Sequence, residues 1–207
     1  MRVFDVCGTL YNSNTTFDFI VGYHRYRNNK VRSFYLMILL SFPCKVLNKL
    51  KLFSIRKRMI ATLNGEEKKH LANYSENFVT DVLSSKEKKI PMQLLSSDKD
   101  SSLLISASID PVISAIAEHL NVRAYSSLLE FDAHNKCTGR LSYDLKGVKS
   151  EKIDTSNVDL VATDNMTDID IIKLSKIAYI IVNNNNKQKW EGFLLQHKVD
   201  LGKVIFI

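Results

Sequence analysis

Carboxylates, hydroxyls and lysines follow short apolar runs at several places in this 207-residue chain. Asp5 comes within the first run, Ser106 directly after the run at residues 102–105, and Asp164 directly after the run at residues 160–163. Such runs, rich in Val, Ile and Leu, are typical of buried parallel strands. Ligands bind beyond the carboxyl ends of such strands. The spacing therefore predicts that these side chains meet at one edge of a sheet.

The chemistry of such an edge follows from its charges. Asp5 and Asp164 repel each other unless a cation lies between them. A few oxygen ligands with open coordination positions suit Mg²⁺ and a phosphate. A lysine from the cluster at residues 146–152 and the hydroxyl of Ser106 can then neutralise phosphoryl oxygens, which is the main task in phosphoryl transfer.

Two kinds of pattern divide the chain. Residues 13 to about 92 have helical periodicity, for example in Val46, Leu47, Leu50 and Phe53. The other residues alternate helical patterns with apolar runs at 2–6, 102–105, 122–125, 160–163, 178–182 and 204–207. Residues 128–132 and 137–143 predict a hairpin, Asp110 predicts a capped helix start before Pro111, and 183–186 a polar loop.

These patterns predict an α/β fold, with a parallel sheet flanked by helices and an α-helical insertion after strand one. We place an α/β core at residues 1–12 and 93–207 and a helical cap domain at residues 13–92. A cap in that position would cover the polar edge of the sheet, where it can exclude water and select the substrate.

Composition narrows the class of protein. With 45% hydrophobic and 25% charged residues, the chain is neither disordered nor collagenous. Cys7, Cys44 and Cys137 have no zinc-type spacing, and the five histidines are scattered, so we expect no disulfide framework and no zinc cluster. We see no signal peptide and no apolar stretch of bilayer length, and we expect a cytoplasmic protein.

The net charge of +7 is concentrated in one segment. Ten of the 29 basic side chains and none of the 22 acidic ones lie between Phe19 and Gly65. This excess predicts an anionic partner, either a phosphorylated substrate, a membrane surface or nucleic acid, unless it is only a solvated helix face. No nucleic-acid recognition motif accompanies it, so we do not expect nucleic acid.

Four short motifs occur in the order and positions of the haloacid dehalogenase (HAD) superfamily. FDVCGTL at residues 4–10 resembles the first motif of these phosphatases, hhhDxDGT, and LLISAS at 103–108 resembles the second. TGRL at 138–141 with GVK at 147–149 is similar to the segment of the third-motif lysine, and DNMTD at 164–168 to the fourth. TLNGEE at 62–67 resembles the cap of the phosphoserine-phosphatase-like branch.

The resemblance implies a Rossmann-like HAD core and a role for each matched residue. Asp5 would be the nucleophile that forms an aspartyl-phosphate. Asp5, Asp164 and the carbonyl of Cys7 would bind Mg²⁺. The phosphate would be held by the first loop, the second motif and the third motif, through Gly8, Thr9, Ser106 and Lys149. Asp168 would position Lys149 or a water molecule. Lys149 is preferred to Lys146 because Ile153 follows it by four residues, as in the branch.

Cys7 is the departure from the family pattern, which usually has a second aspartate there as the acid and base of the reaction. A thiol, mostly protonated at neutral pH, is a poor substitute, and losing such a group typically lowers the rate by about 10²- to 10⁴-fold. The protein is then a slow phosphatase, a phosphatase for substrates with good leaving groups, or a non-catalytic protein that binds phospholigands. Cys7 as a mere buried filler remains the plainer interpretation.

The apolar residues 34–42 within the basic segment lead to a substrate hypothesis. Together they make a cationic, amphipathic cover for the site. We expect a phosphomonoester with a bulky or lipid-like body, met at an anionic membrane to which the protein is peripheral. The alternative is that these residues pack the interior of the cap.

Overall fold

The computed structural model describes residues 1–154, 157–182 and 186–207. Its strands are β1 (Arg2–Phe4), β2 (Ser102–Ile109), β3 (Arg123–Phe131), β4 (Cys137–Tyr143), β5 (Leu160–Thr163), β6 (Ile177–Ile180) and β7 (Val204–Phe206). They form one sheet in the order β4-β3-β2-β1-β5-β6-β7, in which only the β3–β4 pair is antiparallel. The predicted α/β fold is confirmed.

The helices among the described residues are α1 (Thr15–Tyr26), α2 (Lys30–Leu39), α3 (Phe42–Lys49), α4 (Ile55–Ala61), α5 (Lys68–Phe78), α6 (Lys89–Ser96), α7 (Asp110–Leu120), α8 (Ile169–Leu174) and α9 (Lys187–Gln196). A π-helical turn, Val79–Leu83, extends α5. The first six helices lie between β1 and β2, as the helical insertion predicted. The proposed boundary at residue 92 lies inside α6, and the division into two domains stays a prediction.

Successive residues of a strand point to opposite faces of the sheet, and here successive residues are apolar, so both faces are apolar. Phe4 and Leu104 pack on the face covered by α7 and the inserted helices. Val3 and its parallel neighbour Val161 pack on the other face, with Trp190 of α9. This two-sided burial fixes the register of the central strands, and with it the place where each strand ends.

The insertion leaves and re-enters the core at adjacent points. The N–H of Asn12 donates to the carbonyl of Lys86 over 2.7 Å, and the N–H of Lys88 donates to the carbonyl of Leu10 over 2.8 Å. The Lys88 ammonium also donates to the carbonyl of Gly8 over 2.6 Å. The loop after β1 is therefore held by the segment that ends the insertion.

Several local predictions need correction. The predicted strand at 122–125 and the first arm of the predicted hairpin at 128–132 form one strand, β3 (Arg123–Phe131), because its pairing passes from β2 on one side to β4 on the other. Asp110 does not cap α7: Ile109 occupies the cap position, and the Asp110 carboxylate accepts the N–H of Leu129 at 2.8 Å. Of the predicted loop at 183–186, residues 183–185 lie outside the described residues.

No single helix in the described part of the chain has the length and hydropathy of a membrane span. Helices α2 and α3 have that length and hydropathy only when they are taken together, and they are separated by a bend of 57°.

Candidate active site

Asp5 lies at the carboxyl end of the central strand, directly after β1. Its side chain is buried, and its Oδ1 atom accepts the N–H of Val6 at 2.8 Å. Burial raises the pKa of Asp5 to about 7, even though the neighbouring Lys149 acts to lower it. A carboxylate so strongly perturbed and set in a cleft is typical of a functional site.

Lys149 is buried in a short 3-10 turn, Lys149–Lys152, and lies between two carboxylates. Its ammonium is 3.0 Å from Asp5 Oδ1 and 2.9 Å from Asp168 Oδ2. Asp168 is held in turn by the hydroxyl of Thr163, which donates to Oδ2 over 2.7 Å. Burial lowers the pKa of Lys149, but the two carboxylates together raise it above its ordinary value, so the ammonium stays charged. Lys146, by contrast, is exposed at the side of the cleft.

Asp164 lies directly over the backbone of Gly8. Gly8 has a φ of +70°, and a Cβ built there would come within 2.0 Å of Asp164 Oδ2, so no other residue fits without displacing that carboxylate. Thr9 is fully buried, and its hydroxyl donates to Asp164 Oδ1 over 3.2 Å and accepts the N–H of Asp164 at 3.0 Å. The hydroxyl of Thr9 thus holds Asp164 and does not line the cleft that a phosphate would enter.

The charges around Asp5 do not balance among the side chains alone. Asp5 and Asp168 share the buried ammonium of Lys149, Asp164 lines the same cleft as Asp5, and burial raises the pKa of both Asp5 and Asp164. Negative charge left over in a poorly solvated place is what a divalent cation neutralises, and carboxylate oxygens are ligands that Mg²⁺ prefers. The residues therefore fit Mg²⁺.

The ligands for such an ion would be few. Asp5, Cys7 and Asp164 line one cleft. Across residues 1–154, 157–182 and 186–207, no three His, Cys, Asp or Glu side chains are grouped as a metal cage. The set expected from the resemblance consists of two carboxylates and the main-chain carbonyl of Cys7, and it would leave coordination positions open for a phosphate.

Cys7 sits among hydroxyl groups. Its sulfur is 2.8 Å from Thr15 Oγ1 and 3.1 Å from Ser108 Oγ, and Thr16 donates to the same Ser108 oxygen over 3.0 Å. Burial and the nearby Asp5 raise the pKa of the Cys7 thiol, so it is neutral at physiological pH. The sequence singled out Cys7 but missed this cluster, since Thr15 and Thr16 belong to the first turn of α1 and Ser108 to the end of β2.

Ser106 lies where the second motif predicts, at the cleft and almost fully buried. Its hydroxyl oxygen accepts the N–H of Ser108 at 3.2 Å, which leaves the O–H free to turn toward a ligand. Ser106 and Lys149 are thus on one side of Asp5, while Gly8 and Asp164 are on the other.

The cap forms a wall of the cleft above Ser106 and Lys149. This cleft has a volume of about 550 Å³, and Phe17, Leu40 and Ile55 give it an apolar side. Lys45 and Asn48 of α3 line it as well. Arg56 of α4 ties the cap to the core, because its guanidinium donates to the carbonyl of Ala107 and to Asp144, each at 2.7 Å. These cap residues were not singled out individually from the sequence, although the basic excess pointed to their segment.

Solved structures match this architecture over its whole length. A protein with unknown function from Bordetella pertussis Tohama I has a TM-score of 0.74 at 15% identity, covering 99% of this chain and 97% of its own. Phosphoserine phosphatase in its apo form has a TM-score of 0.57 at 15% identity, with coverages of 100% and 92%. The fold is that of the HAD hydrolases.

The HAD fold here includes the helical cap, because the phosphoserine phosphatase match spans the cap as well as the sheet. A HAD family hydrolase from Salmonella enterica subsp. enterica serovar Typhi matches with a TM-score of 0.52 at 14% identity, over 91% of this chain and 64% of its own. No protein-family model and no curated protein sequence matches the chain. The resemblance drawn from four short motifs is thus confirmed at the level of the fold.

Proposed function

We propose that this protein is a Mg²⁺-dependent phosphatase that hydrolyses phosphomonoesters through an aspartyl-phosphate on Asp5. The observation that carries the proposal is the position of Asp5, buried at the end of the central strand, 3.0 Å from the Lys149 ammonium and in one cleft with Asp164. The similarity in fold to a solved phosphoserine phosphatase adds support, and ligands of open parallel sheets bind beyond the carboxyl ends of the strands, which is where Asp5 lies.

The reaction would proceed in two displacements at phosphorus. A carboxylate oxygen of Asp5 forms a bond to phosphorus while the bond to the ester oxygen breaks, and the leaving alcohol takes that electron pair. Water then attacks phosphorus, the bond to Asp5 breaks, and phosphate leaves. The proton that water loses balances the one that the alcohol gains. Bound Mg²⁺ would supply positive charge against the phosphoryl oxygens.

The protein side chains have defined tasks in this scheme. Lys149 places its charge beside the attacking oxygen and the phosphoryl group, and Asp168 keeps that ammonium in place. Ser106 is positioned to donate its O–H to a phosphoryl oxygen. Gly8 leaves room for the Asp164 carboxylate against the first loop, and the Thr9 hydroxyl holds that carboxylate in place.

Cys7 decides which substrates suit the site. Its neutral thiol, with a raised pKa, protonates a departing alkoxide poorly. We therefore expect faster turnover of esters whose alcohol is a good leaving group. The same observation favours a second candidate, a phospholigand-binding or regulatory protein with little or no turnover.

The apolar and cationic residues of the cleft wall shape the substrate part of the proposal. Phe17, Leu40 and Ile55 suit a bulky or lipid-like body, and Lys45 suits an anionic one. We propose such a phosphomonoester as the substrate, in a cytoplasmic protein that meets an anionic membrane from one side.

A phosphate-release assay over a broad panel of phosphomonoesters tests the function. With Mg²⁺, the wild type should release phosphate, and Asp5→Asn should lose about 10⁴-fold or more of that activity while its circular dichroism stays unchanged. Chelation of Mg²⁺ should abolish release. Binding of beryllofluoride without turnover of any ester, by both the wild type and Cys7→Asp, would support the second candidate instead.

A further inference from the structure

The tip of the cap has regular helical structure but buries few of its side chains. We call residues 30–52, which comprise α2, α3 and the turn after α3, the cap tip. Helix α3 has no buried residue, and α2 buries only Leu36 and Leu39. The run at residues 34–42 therefore does not simply pack the interior of the cap.

The exposed side chains of the cap tip are large and apolar. Val31 is 81% exposed and Phe42 79%, and both stand on regular helices rather than in a loop. In α2, Val31, Phe34 and Ile38 are spaced as one helical face, and all are exposed. Contiguous apolar surface of this kind marks an interaction site in a protein that otherwise buries such residues.

Basic side chains alternate with these apolar ones. Lys45, Lys49 and Lys51 lie in or just after α3, and none of them makes an ion pair within the described ranges of the chain. No acidic residue occurs anywhere between Phe19 and Gly65. Lysines whose stems run along apolar surface while their ammonium groups reach water are typical of helices lying in a membrane interface.

Charge complementarity selects the partner. A second copy of this chain would bring the same positive charge against itself, which disfavours a symmetric interface. Nucleic acid would match the charge but would leave Val31, Phe34 and Phe42 without apolar contact. An anionic bilayer matches both, since its lipid phosphates face the lysines and its acyl region accepts the apolar side chains.

The cap tip also adjoins the candidate active site. Leu40, Lys45 and Asn48 line the cleft that contains Asp5 and Lys149, while Phe42 and Leu50 of the same segment point into solvent. We propose that the cap tip is a membrane-docking surface for an anionic bilayer, which brings the cleft to the level of the lipid headgroups. Docking itself does not depend on turnover; its use to reach a lipid phosphomonoester rests on the proposed function.

Flotation of the full chain with vesicles tests the docking surface. The protein should float with vesicles of phosphatidylcholine and phosphatidylglycerol but not with phosphatidylcholine alone, and high salt should release it. Phe34→Ser with Phe42→Ser should weaken binding at least about tenfold. Lys49→Glu with Lys51→Glu should weaken it by more, because each lysine near an anionic surface contributes roughly fivefold.

Matched controls lie on α9, away from the cap. Leu195→Ser removes an apolar side chain that is 60% exposed, and Lys189→Glu reverses an exposed charge; neither should change flotation. Asp5→Asn should float like the wild type, which separates docking from the proposed reaction. Each of the cap-tip and α9 variants should melt at the wild-type temperature, since the side chains altered in them are exposed.

Three results would overturn the proposal. One is no flotation with either vesicle. Another is equal flotation of the wild type and the cap-tip variants. The third is a concentration-dependent dimer that Phe42→Ser abolishes, because it would assign the cap tip to a second copy of the chain. Loss of phosphatase activity with intact flotation would count only against the proposed reaction.

Discussion

The polar edge of the sheet and the cap tip carry charge in opposite ways. At the edge, Lys149 is buried and within 3.0 Å of two carboxylates, and even the hydroxyls of Thr9 and Thr163 are committed to an aspartate. At the cap tip, lysines and large apolar side chains stand exposed without partners in the described chain. In our proposals, the polar edge would bind a cation and a phosphate, whereas the cap tip would bind the surface of a membrane.

This difference separates two kinds of functional surface. A site that performs chemistry must hold its charges before the substrate arrives, and burial strengthens each electrostatic contact. A docking surface needs no fixed geometry, because a bilayer is fluid and accepts many arrangements of the same side chains. The function of the polar edge should therefore depend on single residues, while binding at the cap tip should depend on the summed contributions of several.

Cys7 breaks the pattern of the edge, and restoring a carboxyl group there should have the largest effect. We expect Cys7→Asp to raise kcat/KM by about 10²- to 10⁴-fold, most for esters of poorly leaving alcohols. The hydroxyls of Thr15 and Ser108 are placed to donate to the new carboxylate. Cys7→Asn, which has the same size without an ionisable proton, is the control. Equal gains in both variants would show that size and not proton transfer limits the wild type.

Removing the Lys149 ammonium from the polar edge should lower the free energy of unfolding. Lys149→Met leaves Asp5 and Asp168 buried without their partner, and breaking a buried pair costs about 3–5 kcal/mol. Urea unfolding in the presence of a chelator measures this loss. Lys149→Met with Asp168→Asn should recover part of it, since one unpaired carboxylate is gone. If the double variant lost as much unfolding free energy as Lys149→Met alone, the ion pair between Lys149 and Asp168 would be contradicted.

His24 lies in the interior of the cap, where only one of its two ring nitrogens has a hydrogen-bond partner among the described residues. Its Nε2 atom is 3.0 Å from Thr62 Oγ1, while Nδ1 is buried with no partner in the described parts of the chain. Burial lowers the pKa of His24 to about 4. Below about pH 6.5, His24 is protonated in the unfolded chain but stays neutral in the folded one. The free energy of unfolding therefore falls as the pH drops toward 4, by about 3 kcal/mol at most.

Unfolding free energies at pH 7 and pH 4 measure this acid loss. His24→Leu should lose less stability than the wild type over that interval. Parallel pH curves for the two proteins would mean that His24 takes up its proton in the folded state as readily as in the unfolded one.

Substitutions at the cap tip should have the smallest effect in the absence of vesicles. Val31→Ser and Phe42→Ser should change the free energy of unfolding by less than about 0.5 kcal/mol, because both side chains are exposed. Leu36→Ala on the same helix, where the side chain is only 1% exposed, should cost about 2–5 kcal/mol. A loss at Val31 as large as that at Leu36 would show that the tip packs against something in the free protein.

The sequence anticipates the polar edge well because parallel strands end at one edge of their sheet. Asp5 and Asp164 directly follow β1 and β5, and Ser106 lies within β2, which continues to Ile109 beyond the predicted strand end. Because β1 pairs with both β2 and β5, the meeting of these residues is a consequence of topology. Lys149 is different: it lies in a 3-10 turn that no periodicity predicts, and only the family resemblance placed it near Asp5.

Contacts between distant hydroxyls could not be predicted in the same way. Thr9 was expected to hold a phosphate. Its hydroxyl instead donates a hydrogen bond to Asp164, which is 155 residues away in the sequence but adjacent in the fold. Thr15 and Ser108 meet at Cys7 only because α1 starts beside the end of β2.

At the cap tip, periodicity predicted helical structure, but the pattern of Val46, Leu47, Leu50 and Phe53 runs past the end of α3 at Lys49. A pattern of apolar residues also does not say whether the protein itself will cover them.

The paired ends of the helical insertion have a consequence for how this protein can vary over evolution. Residues 10–12 and 86–88 hydrogen-bond to each other, so everything between them is a loop closed at its base. Lengthening a closed loop adds little entropic cost, since that cost grows only with the logarithm of its length. Insertions in the exposed cap tip should therefore cost little stability, whereas the inserted helices that pack on the sheet beside Phe4 and Leu104 must be kept.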